Sequence, residues 1–175
     1  MNPEPGTLDP DPAVPVYATL DALGIPYEKF AHPPVFNAED VAAHWSGIDA
    51  TKVKNLFLRN KKGDRHYLVI LEVAKRADLR ALVKIVGDDR LSFGSPERLM
   101  ANLGITPGSV SPFGLIHDSR QAVRVIVDAD LRGASRLIFH PNINTASVTI
   151  SGADLERFLN SRGNPVSWVR VAPGQ

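Results

Sequence analysis

The sequence predicts a single α/β (α+β) domain built on a mixed, mostly antiparallel sheet packed by helices. Two observations support this prediction: helical and strand-like patterns are interspersed without strict βαβ alternation, and neither an internal repeat nor a linker divides the chain. A chain of 175 residues is also long enough to bury roughly two-thirds of its unfolded surface around one core. One compact unit is therefore expected.

Each element is predicted from its hydrophobic spacing and from the residues that flank it. The first helix, in residues 14–24, has Val16, Leu20 and Leu23 at helical spacing and ends at Gly24. The other predicted elements are, in order, a strand in 26–32, a helix in 37–45, a hairpin in 53–72, helices in 77–87 and 95–104, strands in 122–128, 136–139 and 147–150, a helix in 151–163 and a strand in 166–171.

Polar residues with known capping preferences begin three of these helices. Asn37 and Ser95 are N-cap residues, and Ser151 has capping-box spacing to Asp154. Gly104 is placed to end the helix that Ser95 begins. The caps therefore set the helix boundaries more firmly than the apolar spacing alone.

The ends of the chain have a different composition from its middle. Residues 1–13 are acidic and rich in proline, which removes backbone donors, so they are predicted to form a disordered leader. The domain is expected to cover 14–171, followed by a short tail in 172–175. No apolar run approaches the ~20 residues of a membrane span and no signal peptide is recognisable, so a cytoplasmic protein without a membrane partner is expected.

Composition excludes several kinds of chemistry. The 20 Lys and Arg residues nearly balance the 19 Asp and Glu residues, so any nucleic-acid binding must come from local charge. There is no cysteine, which excludes thiol nucleophiles, disulfides and Cys-ligated metals. The five histidines do not fall into a metal-ligand spacing, so no metal or other cofactor is expected.

The hairpin region carries a cluster of basic residues, opposed in the sequence only by Asp64: Lys52, Lys54, Arg59, Lys61, Lys62 and Arg65. Charges at a hairpin tip usually form a solvated face, and that interpretation is preferred for the tip. Lys54 differs because it directly precedes the apolar run "NLFL", at the mouth of an interior strand, where an ammonium can hold a phosphate.

Two further segments are candidates for a site, although each also has a purely structural interpretation. The segment "GITPGSVSPFG", residues 104–114, is a connecting loop whose Gly108–Pro112 part can also present backbone N–H groups to an oxyanion. The segment "FHPNINTAS", residues 139–147, places His140 where a strand ends, a position at which histidine is commonly a structural hydrogen-bonding group. A His117–Asp118 dyad is disfavoured, because neighbouring side chains on a strand point to opposite faces. A Ser-His-Asp arrangement stays open, although there is no Gly-x-Ser-x-Gly elbow.

Three ordered motifs, "KVKNLFLRNKKGDRHYLVIL", "GSVSPFGL" and "FHPNINTASVTIS", resemble the YbaK/ProX family of aminoacyl-tRNA deacylases. These are free-standing relatives of the editing domain of bacterial prolyl-tRNA synthetases, and the resemblance covers about residues 14–171. It implies the fold of that editing domain. It also implies a site with Lys54, Gly108 and His140 as catalytic residues, and with these substrate-binding residues: Ser109, Ser111, Pro112, Asn144 and Thr145.

The hairpin and the His140 turn are most similar to the branch that hydrolyses alanine mischarged on proline tRNA. The resemblance therefore implies a trans-editing aminoacyl-tRNA hydrolase whose partners are the acceptor end of a mischarged tRNA and prolyl-tRNA synthetase. Two alternatives stay open: removal of cysteine or another small amino acid, and a noncatalytic module that binds tRNA or a synthetase. An aminoacyl ester is already activated, so a site without a nucleophile is sufficient.

Overall fold

A computed structural model describes residues 10–171 of the chain. Its strands are β1 (Glu28–Ala31), β2 (Thr51–Asn60), β3 (His66–Glu72), β4 (Leu91–Phe93), β5 (Arg124–Asp128), β6 (Leu137–Phe139), β7 (Ala146–Ile150) and β8 (Val166–Val169). Its helices are α1 (Val14–Ala22), α2 (Ala38–Trp45), α3 (Leu79–Val86), α4 (Pro96–Leu103) and α5 (Gly152–Arg162), with 3-10 helices at Pro112–His117 and Ala129–Leu131.

The described strands form one sheet in the order β1-β7-β6-β2-β3-β5-β8, and β4 pairs with β2 off this path. The antiparallel pairs are β1–β7, β6–β7, β2–β3 and β2–β4. The parallel pairs are β2–β6, β3–β5 and β5–β8. The predicted mixed, mostly antiparallel sheet is therefore confirmed.

Strand β2 is central, and its two edges are paired differently. One edge pairs with β3 continuously over Val53–Arg59. The other edge is shared, because β6 pairs only with Thr51–Lys52 and β4 only with Leu58–Asn60. An opening therefore lies in the sheet between β6 and β4, along the middle of β2.

The backbone groups that face this opening follow from the β2–β3 ladder. The N–H of Val73 donates to the carbonyl of Lys52, and the N–H of Asn60 donates to the carbonyl of Arg65. In an antiparallel pair these directions alternate, so the backbone N–H and C=O of Asn55 point away from β3. Asn55 thus presents a donor and an acceptor to the opening.

The two faces of the sheet bury two apolar clusters. Val53 and Phe57 of β2 join residues of α1, α4 and α5 in the larger cluster. Leu58 packs with Leu82 of α3 in the smaller one. Because β2 side chains alternate between the faces, Lys54 lies on the α3 face and Asn55 on the face of the larger core.

The predicted helix caps are confirmed. Asn37 accepts from the N–H of Asp40, Ser95 from that of Arg98 and Ser151 from that of Asp154. Gly104 ends α4 in the left-handed region at φ 63°. The described fold also starts slightly before Val14, because Ala13 is fully buried. Residues 1–9 of the predicted leader and the predicted tail, 172–175, lie outside the described residues.

Three local features differ from the predictions. The sequence analysis did not predict β4, whose three residues are too few for a readable alternation. Part of the predicted loop, Pro112–His117, is a 3-10 helix. The assumption that His117 and Asp118 lie on a strand was wrong: Asp118 follows this 3-10 helix, and its carboxylate accepts from Ala122 N–H, Val123 N–H and the Asn164 amide.

Candidate active site

A cavity of about 350 Å³ opens between α2, β2 and the loop that follows α4. Its lining is mostly apolar and consists of Ala38, Val41, Ala42, Trp45, Lys52, Val53, Lys54, Asn55, Val73, Gly108, Val110 and His140. The structure thus brings together the three residues predicted as catalytic, Lys54, Gly108 and His140. They come from three separate parts of the chain and meet at the opening in the sheet.

Lys54 lies at the border between this cavity and solvent. Its Nζ makes one long contact in the described chain, 3.4 Å to the carbonyl oxygen of Val73. Burial lowers the pKa of Lys54, and the nearby Arg76 guanidinium lowers it further. Neither cation forms a salt bridge within residues 10–171. Two neighbouring positive charges without a neutralising carboxylate favour the binding of an anion.

Asn55, the residue after Lys54, was not predicted as a site residue. Its Oδ1 is buried and has no hydrogen-bond partner in the described part of the chain. A buried amide oxygen without a partner costs free energy, so a donor from a ligand would stabilise it. The signal in the sequence was a polar residue at an inward-facing position of the apolar strand "VKNLFL".

The loop after α4 brings Gly108 to the cavity in a conformation that glycine favours. Gly108 has φ 91°, and the preceding turn is closed by a bond from Ser109 N–H to the carbonyl of Thr106. The amides of Gly108 and Val110 take no backbone partner from the described chain. This part of the loop therefore offers N–H donors at the cavity wall, which is the chemistry an oxyanion needs.

Other predicted residues of this loop stand behind the wall rather than in it. Ser111 is fully buried; its hydroxyl donates to Asn142 Oδ1 at 2.8 Å and accepts from Phe113 N–H at 3.1 Å. Pro112 is the buried first residue of the 3-10 helix. Ser109 is also buried and does not belong to the lining. The Ser111–Asn142 bond joins this loop to the His140 turn, so these residues position the wall.

His140 is 8% exposed, and its Nδ1 lies 3.1 Å from the carbonyl oxygen of Ala146. A carbonyl only accepts, so the hydrogen of the neutral ring is on Nδ1 and the lone pair is on Nε2. Burial lowers the pKa of His140; the bond to Ala146 opposes this shift, and the neighbouring His32 adds to it. The ring is therefore neutral at pH 7 and is able to accept a proton.

A chain of hydrogen bonds that the sequence analysis missed fixes the rings around His140. Trp45 Nε1–H donates to Ser147 Oγ at 2.8 Å, and this hydroxyl lies 2.9 Å from His32 Nε2. His32 donates from Nδ1 to the carbonyl of Pro33. The Trp45 and His32 rings lie 5.4 and 5.9 Å from the His140 ring. Residues 102 and 115 positions apart meet here, so no spacing in the sequence indicated them.

Asn144 and Thr145 act through the segment before α2 and do not line the cavity. Asn144 Nδ2 donates to the carbonyl of Val35, and Val35 N–H donates back to the carbonyl of Asn144. The carbonyl of Thr145 accepts from His32 N–H. The turn thereby anchors the segment that places both His32 and α2.

Two of the cations at the hairpin tip pair with carboxylates. Lys62 pairs with Asp64 at 3.4 Å and Arg65 with Asp88 at 3.5 Å. Besides Asp64, the acid within the hairpin sequence, the fold thus brings Asp88 to the tip from a distant part of the chain. The tip is also at the far end of β2 from Lys54.

A shallower groove of about 590 Å³ adjoins the cavity at Trp45, Lys52 and Val73. It contains neither Gly108 nor His140 and has charges of both signs, including Arg136 and Glu72. The smaller, more apolar cavity is therefore the better candidate for the chemistry.

Residues 10–171 contain neither a metal-ion cluster nor a membrane-spanning helix. This part of the chain contains no group of three His, Cys, Asp or Glu residues placed to hold a metal ion. None of its helices is both long enough and apolar enough to span a membrane.

Residues 32–158 match the model of a protein family described as the aminoacyl-tRNA editing domain. The chain belongs to this family. The matched range includes every residue of the cavity wall described above. The editing domain is also 40% identical over 168 residues to the prolyl-tRNA editing protein ProX of Acetoanaerobium sticklandii, covering 94% of this chain and 100% of that protein.

Two further comparisons extend the similarity, one in sequence and one in fold. The editing domain is 32% identical over 142 residues to prolyl-tRNA synthetase associated domain-containing protein 1 of Danio rerio, covering 80% of this chain and 77% of that protein. A crystal structure of a proposed trans-editing enzyme for prolyl tRNA synthetase superposes with a TM-score of 0.66 at 21% identity, covering 95% of this chain and all of that one. At that identity the superposition shows the fold alone.

Membership confirms the predicted family, fold and class of reaction. Editing removes the amino acid from a tRNA by hydrolysis of its ester, so the protein is an aminoacyl-tRNA hydrolase.

Proposed function

We propose that this editing domain acts in trans on tRNA(Pro) and hydrolyses the ester of mischarged alanine. The observation that carries the proposal is a cavity with an apolar recess, around which four groups meet: the amides at Gly108 and Val110, which have no backbone partner among the described residues, a neutral His140 and the cation Lys54. The 40% identity to a prolyl-tRNA editing protein over essentially the whole chain supports proline tRNA as the substrate.

Lys54 and Arg76 hold the phosphate of the terminal adenosine in this proposal. Both cations lack a carboxylate partner in the described chain, and the Nζ of Lys54 is nearly free to turn to a ligand. An ammonium binds phosphate as a point charge, and a charge-assisted hydrogen bond is about twice as strong as a neutral one. These contacts place the ester at the Gly108 wall.

The reacting group then lies against the loop. The amides at Gly108 and Val110 donate to the carbonyl oxygen, whose negative charge grows as the tetrahedral intermediate forms. Asn55 Oδ1, which has no partner in the described chain, accepts from the α-ammonium group of the amino acid. Water attacks the carbonyl carbon, and the lone pair on Nε2 of His140 accepts its proton as general base. The tetrahedral intermediate then breaks its bond to the ribose oxygen, which takes this proton from Nε2, so that the free amino acid and the tRNA 3′-hydroxyl are released.

Selection for alanine follows from the recess behind the ester. Its walls are the apolar side chains of Val41, Ala42, Val53 and Val110 with the Trp45 ring, which is held by Ser147. These walls suit a methyl group. A synthetase rejects a smaller amino acid only about 10–200-fold per methylene, so a second sieve that admits alanine and excludes proline is needed. Prolyl-tRNA synthetase, which makes the mischarged product, is the proposed partner.

The test is a deacylation panel with the purified protein and tRNA(Pro) carrying alanine, cysteine or proline. The proposal predicts rapid loss of alanine with proline spared. Preferential loss of cysteine would change the substrate but keep the reaction. Binding of tRNA(Pro) without hydrolysis of any ester would instead indicate a noncatalytic module.

A further inference from the structure

A second cavity, of about 270 Å³, continues from the candidate active site along the opening in the sheet. It shares Asn55, Gly108 and Val110 with the first cavity. Its other lining residues are mainly apolar: Leu56, Phe57, Phe93, Gly94, Pro96, Leu99 and Pro107. The two cavities therefore meet at the loop that offers the N–H donors.

The second cavity has a fixed floor and an exposed aromatic rim. The Phe57 ring stacks on His66, with centroids 5.5 Å apart and planes 5° from parallel. Gly94 lets the backbone pass close to this ring, since a Cβ at Gly94 would collide with it. Phe93 is 63% exposed. An aromatic side chain is thus held open to solvent by the β4 backbone.

Phe93 and Lys54 lie on the same face of the sheet. Phe93 is opposite Leu58 in the β2–β4 pair, and side chains that face each other across strands share a face. Leu58, Leu56 and Lys54 alternate onto that face along β2. A ligand whose phosphate lies at Lys54 therefore has Phe93 beside its path along the strand.

The middle of β2 adds polar groups to this apolar surface. The N–H and C=O of Asn55 point into the opening, where neither β6 nor β4 pairs with them. Adenine carries both kinds of matching group, since its exocyclic amine donates and its ring nitrogens accept. A flat base with a polar edge suits this combination better than an aliphatic group does.

We propose that the second cavity binds the terminal adenine of the tRNA, stacked on Phe93. The inference rests on the proposed function, which places the ester carbonyl at Gly108. Gly108 belongs to both cavities, so the amino acid and the adenine lie on either side of the ester, one in each cavity, while the phosphate stays at Lys54 on the border of the first. The amino acid fills the recess at Trp45 and His140, and the adenosine extends toward Phe93.

The test compares two hydrolysis-resistant probes in which an amide replaces the ester: 3′-alanylamino-3′-deoxyadenosine 5′-phosphate and the same compound without its base. Because a base stacks on an aromatic side chain, wild-type protein should bind the adenine probe about 5- to 150-fold more tightly than the probe without its base. Calorimetry measures this ratio of the two affinities. Phe93→Ala reduces this ratio by at least about fivefold, whereas Phe93→Tyr keeps it.

Phe36→Ala is the matched control, because Phe36 is also an exposed phenylalanine, at 82%, and lies beside α2 instead of the second cavity. The control keeps the wild-type ratio if the base lies at Phe93. A wild-type ratio near one, an unchanged ratio in folded Phe93→Ala protein, or a loss confined to Phe36→Ala would each overturn the proposal.

Deacylation of Ala-tRNA(Pro) by the same preparations separates this inference from the proposed function. Hydrolysis by wild-type protein together with a probe ratio near one would refute the adenine subsite and leave the proposed function standing. A Phe93-dependent preference for the adenine probe without any hydrolysis would support the subsite and refute the editing reaction.

Discussion

Replacing Lys54 with alanine should remove most of the deacylase activity and leave the fold intact. Within residues 10–171 the Nζ of Lys54 makes only the 3.4 Å contact to Val73, so its loss should hardly change the free energy of unfolding. Losing a charge-assisted contact to phosphate should cost about 1.5–3 kcal/mol, roughly 10–150-fold in kcat/KM. The assay is single-turnover hydrolysis of labelled Ala-tRNA(Pro), with thermal unfolding measured on the same sample.

Lys62→Ala is the matched control, because the Lys62 side chain is 81% exposed and pairs with Asp64 at the hairpin tip. It should keep nearly all of the activity. If Lys54 and Arg76 hold one phosphate, the double variant should lose less than the sum of the two single losses, since interacting residues are not additive. Near-wild-type turnover by folded Lys54→Ala protein would refute the phosphate role.

Three further predictions concern the wall and the tRNA surface. The kcat/KM should be constant above pH 6.5, the ordinary histidine pKa, and should fall at a pH below it, because burial lowers the pKa of His140 and only the neutral ring accepts a proton. His140→Asn should remove this fall from the pH profile. Gly108→Ala should lower the free energy of unfolding by about 1–2 kcal/mol in thermal denaturation, since a Cβ there meets nothing within 4 Å in the described part of the chain and the cost is the positive φ alone. Affinity for tRNA should fall as salt is added, and Lys61→Ala and Lys62→Ala should leave that slope unchanged; a flat response in the wild-type protein would limit recognition to the aminoacyl end.

The regular elements could be predicted because each depends on residues close together in the sequence. Apolar spacing, the caps at Asn37, Ser95 and Ser151, and the hairpin turn at Asn60–Gly63 are local signals, and all of them are found in the structure. Strand β4 was missed because three residues are too few to show the alternation of apolar and polar side chains that marks a strand. Its pairing with β2, which closes one end of the opening, is therefore a tertiary feature.

The candidate site was only partly predictable, for the same reason. Lys54, Gly108 and His140 belong to motifs that can be read one at a time, and the structure brings them to one cavity. The support for His140 comes from Trp45 and His32, which meet at Ser147 across more than a hundred residues. No spacing can reveal such contacts before the sheet order is known.

The most direct test of the proposed function is the ratio of the deacylation rates of Ala-tRNA(Pro) and Pro-tRNA(Pro), measured side by side with wild-type protein. Overpacking a rigid recess costs about 1–3 kcal/mol, so proline, which is larger than alanine by two carbons, should be spared at least about fivefold. His140→Ala should lower alanine hydrolysis and bring the two deacylation rates closer together, because the ring forms a wall of the cavity and its removal makes room for a larger amino acid. Equal hydrolysis of the two substrates by wild-type protein would contradict the account.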